Sequence, residues 1–259
     1  RGHASLGQAQ RCQPRPGMTQ FGRRNRLGQF GQSAPPHCHG GNHGDAQVLI
    51  DALTEELAKA PEADLFIRRG ELFRHHQEWA KAEADFLAAV ALEPQLAIVD
   101  FFRARLLLES GAPEKARRFL DRFVAGEPGE AEGWFLRGEV LAALGQPEAG
   151  AGDYTEGIRR SKAPRPEHYL RRARLLAAAP AADPARVLAA LDEGIVRLGP
   201  ISALVDQALT LELDRRNYAG ALERIAIVMQ RAPRREAWLI RQGDILEKCG
   251  RTAEAIVSY

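Results

Sequence analysis

The sequence predicts an all-α fold, a solenoid of antiparallel helix pairs. Three observations predict it. A unit of about 34 residues recurs along most of the 259-residue chain. Within each unit, small and apolar residues recur at i, i+4 and i+7, which is one face of a helix. Glycine and proline punctuate the units at two fixed places. Self-similarity at this period marks an architecture in which each unit buries its apolar face against its neighbours.

Residues 1–44 stand apart. They hold nine glycines, four prolines, six glutamines and six arginines, with no lysine and no acid, so the segment carries +6. The remaining 30 basic and 34 acidic residues give the body −4, and the net +2 of the whole chain is the sum of two unlike parts. Apolar residues in 1–44 follow no period. Such a segment does not bury enough surface to offset ~1–2 kcal/mol per ordered residue, and the expectation is disorder. It lacks the ~7–15-residue apolar core of a secretory signal. The chain begins with Arg1 rather than Met, which suggests that this is not the native start.

Residues 45–61 read as one amphipathic capping helix. Asp45 is the expected N-cap, and Val48, Leu49, Ala52, Leu53 and Leu57 are expected inward. The helix should cover the exposed face of the first repeat.

Residues 62–259 read as about six hairpins, starting near 63, 97, 131, 166, 202 and 236. In the first, Phe66, Gly70 and Phe73 share one helix face, and Ala82, Phe86 and Ala89 share the face of a second helix. Residues 76–78 form the turn between them. The equivalent turns hold Gly111-Ala112-Pro113, Gly145-Gln146-Pro147 and Cys249-Gly250-Arg251. Glycine suits the left-handed residue that closes a helix, and proline suits the first turn of the next. Pro94, Pro128 and Pro233 stop the second helices, because proline lacks a donor and clashes with the preceding turn. Small residues at 70, 104, 138, 173 and 243 let the paired helices approach closely. The fourth unit carries two extra residues around 180–184, which predicts a longer turn. In the fifth, Leu209 and Glu212 replace the expected small and aromatic residues, so either this register or one slipped to Ala208 and Leu211 applies. Tyr259 falls within the sixth second helix, which is expected to be cut short.

This pattern resembles the tetratricopeptide repeat, of the bacterial type built from repeats alone. The first unit supplies Phe66, Arg69, Gly70, Phe73, Ala82, Phe86 and Pro94 at the positions of the W-x2-L-G-x2-Y…A-x3-F…P signature. The resemblance covers residues 63–259. It implies a right-handed superhelix whose first helices line a concave groove for a peptide or a partner helix. The groove positions it implies are Ile67, Glu71 and Arg74 in the first unit, and Phe101 and Arg105 in the second. Phe135 and Glu139 follow in the third, Leu170 and Arg174 in the fourth, and Ile240 and Asp244 in the sixth. Ile67, Phe101, Phe135, Leu170 and Ile240 hold equivalent places and form either an apolar contact stripe or a seam packed against neighbouring first helices. Asparagine is missing from these places, which argues against the subclass that grips a C-terminal carboxylate with lysine and asparagine.

Arg69, Arg103, Arg137 and Arg172 recur once per unit. They read either as a ladder for an anionic ligand or as structural residues paired locally, with Asp85 and Asp153 as the expected partners. The structural reading is preferred.

The chemistry of catalysis is missing. There is no phosphate-binding glycine loop and no Gly-x-Ser-x-Gly elbow. His37-Cys38-His39, His43 and Asp45 match no zinc spacing, so no metal site and no cofactor are predicted. His75-His76 falls at a helix end, and His168 has no nucleophile near it in sequence. The three cysteines form no disulfide framework, and no apolar run approaches the ~18–20 residues that cross a bilayer.

The sequence therefore predicts a non-catalytic scaffold for a protein or peptide partner. The alternatives are the regulatory or interaction part of a longer enzyme or exported complex, or nucleic-acid association through the basic arm. Nucleic acid is not favoured, because the arm has only Phe21 and Phe30 for stacking and the body is acidic. A 31-to-5 excess of Arg over Lys suggests a bacterial genome rich in GC. Cytoplasmic and exported, periplasmic locations both remain open.

Overall fold

One turn geometry joins the helices of five of the six hairpins. The residue two past the first helix takes a positive φ: 59° at Gln77, 81° at Gly111, 71° at Gly145, 57° at Arg216 and 78° at Gly250. The following amide reaches back to the helix, as in Glu78 to Phe73 and Gln146 to Leu141, both at 2.9 Å. These bonds satisfy carbonyls that the helix end leaves unpaired. The computed structural model in which these turns occur describes residues 43–231 and 235–259. The basic segment 1–42, with its expected disorder, and Pro233 lie outside the described residues.

Thirteen helices are described. Helix α1 spans His43–Lys59. The hairpins follow as α2 (Ala63–His75) with α3 (Trp79–Leu92), α4 (Ile98–Glu109) with α5 (Pro113–Gly126), and α6 (Ala131–Ala143) with α7 (Pro147–Arg160). Then come α8 (Pro166–Ala178) with α9 (Pro184–Leu198), α10 (Ser202–Asp214) with α11 (Tyr218–Arg231), and α12 (Glu236–Lys248) with α13 (Thr252–Ser258). Each helix packs on the next, which makes a solenoid of antiparallel pairs. Pro113, Pro147, Pro166 and Pro184 each occupy a first helical turn, where the missing donor costs nothing. The fourth hairpin has the longer turn, 179–183, and Asp183 caps α9 by accepting from the Ala185 amide at 2.9 Å.

Size complementarity holds the hairpins closed. A Cβ on Gly70 would lie 2.7 Å from the Phe86 ring, and one on Gly138 would lie 2.8 Å from the Tyr154 ring. Gly243 faces Tyr259 in the same way. Where the first helix carries Ala104, the residue sixteen positions on is Leu120, and both are fully buried. The fifth hairpin keeps this register: Leu209 packs in one cluster with Ala221 and Ile225, while Ala208 packs back against Leu191 and Leu204. Glu212 is buried there, accepting from Asn217 Nδ2 at 2.9 Å and Arg224 Nε at 3.1 Å.

Helix α1 differs from expectation. It starts at His43, so Asp45 lies within the first turn and is not the N-cap. Ile50 and Leu57 are buried and Leu53 is half-buried, whereas Val48 (67% exposed), Leu49 and Ala52 face outward. A helix apolar over much of its circumference presents whichever stripe its single neighbour covers. Here Arg69 Nη1 of α2 donates to Thr54 Oγ1 at 2.9 Å and fixes the choice.

Candidate functional site: the concave face

Neighbouring first helices touch, α2 with α4, α4 with α6 and α8 with α10, and no pair of second helices packs as closely. The array therefore curves toward its first helices, and their free sides form the concave face.

The apolar stripe does not lie on that face. Ile67 is 0%, Phe101 7% and Phe135 5% exposed. Phe135 stacks on His168 of the next hairpin at 3.9 Å between centroids and lies 5.3 Å from the Tyr154 ring. Phe101 lies 5.5 Å from Phe123. Leu170 is half-buried against the same core as Phe135. Ile240, 53% exposed, is the one member of the five at the surface. Phe135 and Leu170 pack toward the following hairpin, against His168 and against the cluster that holds Leu204 and Ala208, while Phe101 packs on the second helix of its own hairpin.

The charged candidates divide in two. Arg74 is 3% exposed, so it too offers no surface to a partner. It donates to Glu71 Oε1 at 2.8 Å and to Glu109 of the next hairpin, with Arg105 3.6 Å from both acids. Burial, then the Arg74 charge, pushes the His75 imidazole pKa down. Glu139 is likewise engaged, accepting from the Tyr154 hydroxyl and from Arg171 Nε at 2.8 Å. Burial, then the bond to Glu139, raises the Tyr154 pKa. Arg174 is exposed, and no ion pair among the described residues involves it. Asp244 is exposed and accepts from Tyr259 Oη at 3.0 Å.

The arginine ladder is structural. Arg69 and Arg137 make two-pronged contacts to Asp85 and Asp153, with Nε–Oδ2 distances of 2.9 and 2.6 Å. Arg103 reaches Glu83, and Arg172 reaches Glu193 at 2.7 Å and the Ala190 carbonyl at 3.0 Å.

An open pocket of about 630 Å³ lies on the concave face across the second to fourth hairpins. Leu108, Glu139, Ala142, Ala143, Arg171, Leu175 and Ala178 line it, together with Gly145 and Pro180 of the inter-helix turns and Pro147 at the start of α7. Arg171, Leu175 and Ala178 were not among the positions read from sequence. On α8 the expected places were 170 and 174, one residue short of Arg171 and Leu175. The missed signal was an acid and an arginine 32 residues apart on successive first helices, Glu139 and Arg171.

Among the described residues no helix is long and apolar enough to cross a membrane. No group of three or more His, Cys, Asp or Glu among them is placed to hold a metal ion.

No family model and no curated protein matches the sequence. Solved structures do match. A tetratricopeptide repeat protein from Parabacteroides merdae superimposes with a TM-score of 0.54 at 17% identity, over 83% of this chain and 84% of that one. This chain has the tetratricopeptide-repeat fold. Two further tetratricopeptide-fold structures superimpose comparably. YrrB, described as a TPR protein with an unusual peptide-binding site, has a TM-score of 0.53 at 15% identity, over 73% of this chain and 97% of that one. The PilF protein of Pseudomonas aeruginosa has a TM-score of 0.52 at 16% identity, over 76% and 88%.

Proposed function

We propose that this chain is a non-catalytic scaffold that binds a protein or peptide along its concave face. The observation that carries the reading is the open pocket spanning three first helices, lined mostly by apolar residues with one charged pair, Glu139 and Arg171, the make-up common to binding clefts. The peptide-binding site named for the similarly folded YrrB supports it. Within this reading Arg105, Glu139, Arg174, Ile240 and Asp244 are contact residues, joined by Arg171, Leu175 and Ala178. Ile67, Phe101, Phe135 and Arg74 shape the face from beneath.

Selection of a random twelve-residue peptide library on the immobilised protein tests the reading. Recovered peptides are expected to lose at least tenfold in affinity for a variant carrying Ala177→Arg and Asp244→Arg, both exposed on first helices, whose circular dichroism is unchanged. Recovered peptides that bind this variant as they bind the parent chain would place the contact elsewhere.

A further inference from the structure

The pocket exists because of side-chain length at one place in the repeat. At the twelfth and thirteenth positions the chain has Arg74-His75, Leu108-Glu109, Ala142-Ala143, Ala177-Ala178, Leu213-Asp214 and Glu247-Lys248. In the first unit the arginine is buried and ties Glu71 to Glu109 of the second. In the third and fourth units methyl groups stand there instead, and the space between Leu108 and Leu175 stays open.

Charge around the pocket is uneven. Glu139 is engaged internally by Tyr154 and Arg171. Arg174 follows Arg171 by three residues and precedes Ala178 by four, so it sits beside both on the helix surface. It is exposed and outside every ion pair among the described residues, which leaves it an unpaired cation beside a largely apolar pocket whose own charged lining, Glu139 and Arg171, is paired.

Resting on the reading of the concave face as a polypeptide groove, we infer that this pocket anchors one large apolar side chain of an extended peptide. A carboxylate side chain two residues from that anchor pairs with Arg174. The spacing follows from geometry. Neighbouring side chains on the helix surface are ~5–6 Å apart. In an extended strand, same-side residues i and i+2 are separated by ~6.6 Å, and a helix would turn them apart. The volume lies in the ~300–1,000 Å³ range of ligand pockets and admits leucine, methionine or phenylalanine. The cation selects acid over base beside the anchor.

Amide-capped nine-residue Gly/Ser peptides centred on Leu-Ser-Glu, Ala-Ser-Glu, Leu-Ser-Gln or Leu-Ser-Lys test this against the full chain with ¹³C-methyl-labelled alanine. The Leu-Ser-Glu peptide should shift the Ala142, Ala143 and Ala178 methyl signals and bind at least tenfold tighter than its Ala-Ser-Glu counterpart. It should also bind several-fold tighter than Leu-Ser-Gln. Ala178→Trp should abolish these shifts, and Arg174→Glu should move the preference to Leu-Ser-Lys. Equal binding of the leucine and alanine peptides, or parental affinity in Ala178→Trp, overturns the inference. So does binding confined to a peptide with a free C-terminal carboxylate, and so does no binding by any capped peptide. Shifts restricted to Ala177 of α8 and Ala237 of α12, both exposed on first helices outside the pocket, overturn the pocket while leaving the groove reading standing.

Discussion

The first two hairpins and the third and fourth share one backbone plan, yet their concave faces differ. Between α2 and α4 the face is closed by Arg74, Glu71, Glu109 and Arg105, with Arg74 buried. Around α6 and α8 it is open, and the remaining ion pair, Glu139 with Arg171, is about one-third exposed on each side. A solenoid thus makes a wall or a recess from the same scaffold by exchanging long side chains for methyl groups at one position. Charge pairs in the closed region serve cohesion between repeats. In the open region part of the charge remains at the surface.

The largest expected effect comes from the closed region. Arg74→Ala removes the buried cation and leaves Glu71 and Glu109 with only the more distant Arg105 between them, and loss of such charge-assisted bonds costs about 1.5–3 kcal/mol. Chemical denaturation should show the loss. Arg171→Ala removes a half-exposed pair and should cost about 1 kcal/mol or less. Equal losses would mean that the two regions are cohesive to the same degree.

An intermediate effect separates the regions by pH. The His168 imidazole, buried against Phe135 at the seam of the third and fourth hairpins, has its pKa pushed down to about 4, by burial first and then by Arg165. A pKa lowered in the folded state means that the unfolded chain takes up the proton first. The contribution of His168 to stability should therefore be lost as pH drops from about 6.5 toward 4. Urea midpoints across that window should slope less in His168→Gln than in the parent chain, and parallel slopes would remove His168 as the cause.

Arg137→Met tests the ladder next. Its pairing with Asp153 and Asp121 predicts a lower melting temperature. Loss of partner binding with melting unchanged would restore a ligand role.

The smallest effect is a gain. Gln77 and Arg216 hold the left-handed turn conformation that glycine adopts freely. Replacing either by glycine should stabilise by about 0.5–1 kcal/mol, net of glycine's entropy. Loss of stability in both variants would show that their side chains do more than tolerate the turn.

The hairpins were legible in the sequence because close approach of two helices demands paired sizes, and Gly70 with Phe86 or Gly138 with Tyr154 leave a periodic trace. The concave face was less legible. Apolar residues at Ile67, Phe101 and Phe135 look alike whether they face a partner or the next repeat, and only packing distinguishes the two. On α8, one residue of rotation, about 100° of helix, separates the expected 170 and 174 from the lining 171 and 175. Rotations of that size depend on tertiary contacts. Helix α1 failed for the same reason, since several of its stripes were apolar enough to bury.

The size pairing across each hairpin also constrains how such a chain diverges. Glycine opposite an aromatic, alanine opposite leucine, and leucine opposite isoleucine all occur sixteen residues apart in this one molecule. Adding a Cβ to the glycine member alone brings atoms to within 3 Å of the opposing ring, as at Gly70 and Phe86. A change of size at one member of such a pair is therefore expected to be tolerated best when the opposing member changes size the other way.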